Sequence, residues 1–505
     1  MSIKTMDYFV NGKWETSKTT EYSDIYNPST GEVTHRVPIC TVDEVEQAIE
    51  AAAVAYKSWS NTPVVRRTKV LYKFRELLEA NFDELVELCS REHGKTLGES
   101  QGDIMKVLES VEFACGMPTL LMGEALMDTS TGFDTVLYKE PVGVFAGIAP
   151  FNFPGMIPMG WMAPLCIAAG NTMVLKLSST TPLTAMRLME LWEDAGLPNG
   201  VLNVLTCNRK AADVLLTHPK IAGISFVGST PVGLQIYTKA AAAGKRVQAL
   251  CEAKNHALVL EDAELPRTAR GIINAAYGCA GQRCMALPAI VVQESVADEL
   301  VRLLTEYARE MKIGPAYDPT SVLGPVTTAG QKANITKWIE KGIEEGAELV
   351  LDGRDVTVDG FENGFYLGPT IFDHVKEGMT VGDEEIFGPV LCVKRVKDFE
   401  EGLTLMNANR FANGSVIFTN SGYYAREFSK RTHGGMVGIN VGIPVPVGIF
   451  PFTGHKQSFF GDLHALGKDG VRFFTETKAV TSRWFDEEEK KKTHVDTWDG
   501  AIGGS

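Results

Sequence analysis

Two cysteines in Gly278-Cys279-Ala280-Gly281-Gln282-Arg283-Cys284 lie among small residues, with a guanidinium beside the second. A cysteine nucleophile acts as the thiolate and needs an electropositive or dipole-rich setting. The same segment also reads as two buried, inert thiols. Pro150-Phe151-Asn152-Phe153-Pro154 pins an asparagine between aromatic rings and prolines. Its amide can donate to an oxyanion or satisfy the backbone of a turn. Gly228-Ser229-Thr230-Pro231-Val232-Gly233 follows the apolar run Ile221–Val227 directly. Small residues at a strand–turn–helix junction let backbone N–H groups meet an anion. Pro231 suits the first helical position, with Ser229 or Thr230 as its cap. The spacing is not Gly-x-Gly-x-x-Gly, so an ordinary capped helix stays open. Glu385-Ile386-Phe387-Gly388-Pro389-Val390 offers a carboxylate before a strand, either an acceptor for sugar hydroxyls or a loop charge.

These segments need elements to position them. Residues 43–115 read as helices: Asp43 is a plausible cap, an alanine-rich run follows, and residues 69–89 carry apolar side chains at helical spacing. From residue 142 the pattern changes to short apolar runs, at 142–149, 171–176, 201–205 and Ile221–Val227, separated by helical stretches at 182–195 and 210–217. Strands alternating with helices predict a parallel sheet. A second series follows at 257–260, Ala289–Gln293, 389–396 and 415–419, with a helix at 296–311. Residues 472–484 alternate and read as a strand. Residues 486–492 are a charge run, read as a solvated tail ahead of the glycine-rich end at 500–505.

The chain carries 49 Lys and Arg against 63 Asp and Glu, a net charge of −14. Such a surface repels a phosphate backbone, which argues against nucleic-acid partners. The apolar stretch 156–175 is broken by Pro158, Gly160, Pro164 and Gly170. It reads as a buried helix and turn rather than a membrane span. An odd number of scattered cysteines fits a reducing cytoplasm, and no zinc-ligand spacing occurs, so no metal is expected.

Taken together and in this order, the four segments closely resemble the aldehyde dehydrogenase superfamily, from about Tyr8 to Trp484. Phe9-Val10-Asn11-Gly12-Lys13, Asn27-Pro28-Ser29-Thr30-Gly31-Glu32, Ala253-Lys254-Asn255-His256 and Phe452-Thr453-Gly454 resemble the CoA-acylating methylmalonate-semialdehyde dehydrogenases within it. The resemblance implies an α/β fold with two parallel-sheet domains and a small β oligomerisation arm. It implies Cys284 as nucleophile, with Asn152 and the Cys284 N–H as oxyanion hole. Phe151, Lys176, Ser179, Gly228, Ser229, Glu385 and Phe387 would line an NAD site. The implied activity is oxidation of a short acidic aldehyde through a Cys284 thioester, with the acyl group passed to CoA. The implied assembly is a homodimer or homotetramer.

Three departures qualify that expectation. Leu250-Cys251-Glu252-Ala253-Lys254 stands where hydrolytic relatives carry Glu-Leu-Gly-Gly-Lys. Leu250 cannot take a proton from water, and general-base help is worth roughly 10²–10⁴-fold, which favours CoA as acceptor. Glu252 replaces a glycine. It would either reach the deacylating water and restore release of a free acid, or serve as a structural carboxylate. Lys106 stands where the family has an arginine that pairs with Arg283 on the substrate carboxylate. Lysine keeps the charge but loses the planar fork, which opens a sulfonated aldehyde such as sulfolactaldehyde. Ser179 replaces a ribose-binding glutamate, which leaves NADP open beside NAD. The expected boundaries are 1–120 and 142–250 for nucleotide binding, 251–455 for catalysis, and 121–141 with 456–490 for the arm.

Overall fold

The computed structural model describes residues 3–491; Lys492 and the glycine-rich end at 500–505 lie outside them. Four helices, Val42–Trp59, Val64–Ala80, Phe82–His93 and Leu97–Cys115, open the first body. The first is capped by Thr41 rather than by Asp43. Thr41 has extended backbone, and its hydroxyl accepts from the Glu44 N–H at 3.3 Å while the Glu44 carboxylate accepts from the Thr41 N–H at 2.7 Å. Asp43 falls inside the first turn, where its charge complements the helix dipole.

Behind these helices lie five parallel strands, in the spatial order Arg246–Leu250, Ile221–Val227, Val144–Ile148, Thr172–Leu177 and Leu202–Thr206. Sheet strands covered on both faces are continuous apolar runs, which is why the sequence shows them. Among these five the chain enters at the middle strand, Val144–Ile148, runs to one side, then returns to add Ile221–Val227 on the other. That reversal opens a crevice beyond the carboxyl ends of these two neighbours. The stretch 156–175 is a π-helical turn Met156–Met162, a helix Ala163–Ala169 ended by left-handed Gly170 (φ 101°), and the start of a strand. Among the described residues no helix is long and apolar enough to cross a membrane.

The second body is a seven-stranded sheet in the order Glu348–Leu351, Thr370–Asp373, Val390–Val396, Ala289–Gln293, His256–Val259, Gly414–Phe418, Met436–Ile439. All neighbours are parallel except the first pair. Ala125–Ser130, Phe133–Pro141 and Thr475–Arg483 form a separate antiparallel sheet.

The strand expected at 472–484 starts three residues later, at Thr475. Arg472 and Phe473 finish the helix Gly467–Phe473, because Phe473 and Phe474 both pack on Phe145, with ring centroids 5.5 and 4.9 Å away. Arg246 fastens that corner by donating Nη1 to the carbonyls of Arg472, Phe473 and Thr475. Residues 459–474 therefore pack against the first body, while Lys456 pairs with Phe411 of the second. Their strand Phe459–Gly461 pairs antiparallel with Arg246–Leu250 and closes that edge of its sheet.

Candidate functional site

The helix Leu265–Tyr277 ends in a turn that few sequences adopt. Cys279, Ala280 and Gly281 have φ of 53°, 51° and 72°, three left-handed residues in succession. A left-handed residue with a Cβ costs roughly 1–2 kcal/mol, so something must hold two of them. Glu99, from the N-terminal helix Leu97–Cys115, accepts the Cys279 N–H at 2.6 Å. Gly281 lies against the Gly388 carbonyl so closely that a Cβ would stand 2.1 Å from the oxygen. The Gln282 side-chain oxygen accepts from the Thr327 N–H at 3.1 Å and from its hydroxyl at 2.9 Å. The Cys284 carbonyl accepts from Nδ2 of Asn255 at 2.8 Å and of Asn413 at 3.2 Å.

Of the nine cysteines, Cys284 alone is not fully buried. Its thiol is pushed up to about 12, first by desolvation and then by the Glu385 carboxylate, against the opposing pull of Arg283 and Lys95. A thiol so raised stays protonated at neutral pH.

Asn152 is 4% exposed, and its Nδ2 donates to the Gln282 carbonyl at 3.2 Å. An amide nitrogen has two hydrogens, so one remains for a reacting oxygen. The loop that carries it is fixed on both sides. Thr181 donates its hydroxyl to the Phe151 carbonyl at 2.7 Å. The Phe151 ring stacks on His93 and meets Phe387 edge-on at 5.8 Å. The His93 imidazole is held neutral by burial and by nearby Lys95, and its Nε2 lies 3.2 Å from the Thr327 hydroxyl. That hydroxyl spends its one proton on Gln282, so His93 is the donor there. Phe151, Asn152, Gln282 and Phe387 are thus joined at the seam between the two bodies, with Cys284 two residues beyond Gln282.

The crevice at the sheet reversal has a volume of about 300 Å³, and Ile148, Lys176, Arg209, Gly228, Ser229 and Val232 help to line it. Burial pushes the Lys176 ammonium down. Ser229 occupies the capping position of the helix Thr230–Ala242, but its side chain makes no capping bond and Pro231 falls second in the helix. The cap is Glu252, whose Oε2 accepts the Thr230 N–H at 3.0 Å while the Thr230 hydroxyl accepts the Glu252 N–H at 3.3 Å. Glu385 accepts the Ala253 N–H at 3.2 Å, and its carboxyl is pushed up to about 8 by burial and by Glu252. Ser179 lies two residues past the strand Thr172–Leu177 and is not among the residues lining the crevice.

Lys106 and Arg283 have separate partners. Lys106 pairs with Glu109, one turn on in the same helix, at 2.7 Å. Arg283 donates Nη2 to the carbonyls of Asn274 and Ala275 at the end of the helix Leu265–Tyr277. The two do not share a partner.

Reading the sequence missed the support beneath this unit. Lys95 and Asp103 form an ion pair at 2.7 Å with both side chains wholly buried. The Lys95 ammonium lies 3.5 Å from the centre of the Phe153 ring, and Asp103 also accepts the Met156 N–H at 2.6 Å. Thr96 and Glu99 form a capping box, a visible Thr-x-x-Glu signal that could have marked the start of this helix.

The Aldehyde dehydrogenase family pattern matches residues 14–480. The chain belongs to the aldehyde dehydrogenase family. Among relatives of this dehydrogenase is malonate-semialdehyde dehydrogenase 2 of Oceanobacillus iheyensis, 47% identical over 96% of this chain and 99% of that one. A Sinorhizobium meliloti structure, described as a methylmalonate-semialdehyde dehydrogenase complexed with NAD, superposes with a TM-score of 0.94 at 44% identity, covering 96% of this chain and 99% of that one. The methylmalonate-semialdehyde dehydrogenase of Oceanimonas doudoroffii gives 0.94 at 42% identity over 97% of this chain and 100% of its own. The dehydrogenase shares their fold of two α/β bodies and an antiparallel sheet.

Proposed function

We propose that this dehydrogenase oxidises a short acidic aldehyde of the malonate- or methylmalonate-semialdehyde type, with NAD as oxidant and CoA as acyl acceptor. Leu250 carries the choice of acceptor. It ends the strand Arg246–Leu250, pairs with Phe459 and is 4% exposed, an apolar group where hydrolytic relatives place a carboxylate. Glu252, the other candidate base for water, is committed to the Thr230 N–H.

The crevice fits an adenine dinucleotide in kind: Lys176 and the glycine turn at Gly228 lie where the sheet reverses, with Glu385 and Phe387 on the facing body. Bound there, NAD would accept the hydrogen and electron pair that leave the aldehyde carbon. The chain does the rest. The Cys284 sulfur, once deprotonated, bonds to the carbonyl carbon and drives its π electrons onto oxygen. The free Asn152 N–H and the Cys284 N–H are the proposed donors to that oxygen. Collapse leaves a thioester on Cys284. The CoA thiolate then bonds to the acyl carbon, and the Cys284 sulfur departs with the electron pair of the broken C–S bond.

Lys106 and Arg283 are the proposed holders of the substrate's acid group, each leaving its present partner to do so. The arm supports the proposed homodimer or homotetramer, because Leu126 and Met127 on its edge strand are 63% and 76% exposed. Nine free cysteines suit a reducing compartment.

The test is NADH formation from malonate semialdehyde with and without CoA, with the product identified by mass. CoA-dependent turnover to a CoA thioester supports the proposal; equal turnover to a free acid without CoA refutes the acceptor. Leu250→Glu is expected to raise CoA-independent release of free acid roughly 10²-fold. Asn152→Ala is expected to lower kcat by roughly 10²–10³-fold with little change in KM, measured by steady-state kinetics on protein with an unchanged circular-dichroism spectrum.

A further inference from the structure

We propose that Glu252 is a built-in competitor of the dinucleotide's pyrophosphate, and so sets the affinity of this chain for its cofactor. The inference rests on the crevice being the dinucleotide site.

The helix Thr230–Ala242 points its N-terminus at the crevice. Pro231 has no N–H and the Ser229 side chain makes no capping bond, so the donors of this turn are its remaining backbone N–H groups. One of them, the Thr230 N–H, is held by Glu252 Oε2 at 3.0 Å. The grip is reciprocal. The Thr230 hydroxyl accepts the Glu252 N–H at 3.3 Å and donates to the Gln457 carbonyl at 3.2 Å. A pyrophosphate settling on this helix draws on the same turn and the same dipole. It must also meet a fixed negative charge.

Glu252 is a residue of the link between the sheets, between the strands Arg246–Leu250 and His256–Val259. Its neighbour Ala253 is bonded to Glu385, so a second carboxyl stands beside it. In this chain Glu252 caps the helix, and an arriving pyrophosphate has to expel that cap.

Equilibrium titration of the full chain with NAD, followed by calorimetry, tests this without turnover. Glu252→Gly is expected to bind NAD about tenfold more tightly than the parent, and the near-isosteric Glu252→Gln about threefold more tightly. Adenosine, which has no phosphate, is expected to bind all three alike. The ligand-free Glu252→Gly protein is expected to unfold at a lower temperature, having lost a cap. NAD binding that is unchanged or weaker in both folded variants overturns the inference while the crevice stands. Failure of every form to bind NAD or adenosine overturns the crevice assignment and the inference together.

Discussion

Cys284→Ala is expected to abolish aldehyde oxidation, a loss on the order of 10⁶-fold in kcat, the scale seen when a covalent enzyme loses its nucleophile. No other thiol can stand in, because the remaining eight cysteines are buried. NAD binding should survive, since the crevice lies at the end of the other sheet. The same residue should dominate thiol labelling. With its pKa raised to about 12 by burial and by Glu385, the thiolate fraction grows with pH throughout the neutral and mildly alkaline range. Iodoacetamide should therefore add one label to the native parent protein, faster at pH 9 than at pH 7, and none to Cys284→Ala. A second native label of equal rate, or NADH formation by the alanine variant, would remove Cys284 from its role.

Lys95→Met is expected to destabilise the protein by about 3–5 kcal/mol. The substitution strands the Asp103 carboxylate in a site where both side chains are fully buried. Removing one partner of such a pair leaves an uncompensated buried charge. Guanidinium unfolding followed by tryptophan fluorescence reads the loss. The double variant Lys95→Met, Asp103→Leu should recover much of it, because replacing both charges with apolar groups is often near neutral. Recovery stops short of complete, since the Met156 N–H then loses the acceptor it has at 2.6 Å. Turnover should fall as well. The Lys95 ammonium rests on Phe153, next to Asn152, and removing it frees the loop that aims the amide. A loss below 1 kcal/mol would mean that water already reaches the pair.

Much of the scaffold was legible because fully covered parallel strands are plain in a sequence. The runs at Ile221–Val227 and Ala289–Gln293 coincide with strands of the structure. Local signals that admit two answers went astray. Thr41 and Asp43 are both good caps, and only the extended backbone at Thr41 decides between them. The alternation at residues 472 and 473 was real, but Phe145 recruits Phe473 into a helix. In the site, Cys284, Asn152 and Glu385 stood out by type and became a constellation only when taken jointly. Their supports were invisible because contacts far along the chain define them. Glu99 meets Cys279 across 180 positions, and His93 meets Thr327 across 234. The role of Glu252 was hidden for a related reason. A carboxylate after a strand says nothing of which helix it will cap until the sheet has brought Thr230 alongside.

The left-handed turn at Cys279, Ala280 and Gly281 bears on how the enzyme is born. Its two residues with Cβ atoms store roughly 2–4 kcal/mol together, and a hydrogen bond to a charged acceptor returns about 1.5–3. Glu99 supplies that bond from a helix synthesised long before the turn. A ribosome-bound chain therefore holds the clamp first and the spring much later. Until the two bodies dock, the turn is free to relax and the thiol has no fixed aim. Activity during refolding should lag behind the return of helical signal, with docking of the halves as the step that arms the nucleophile.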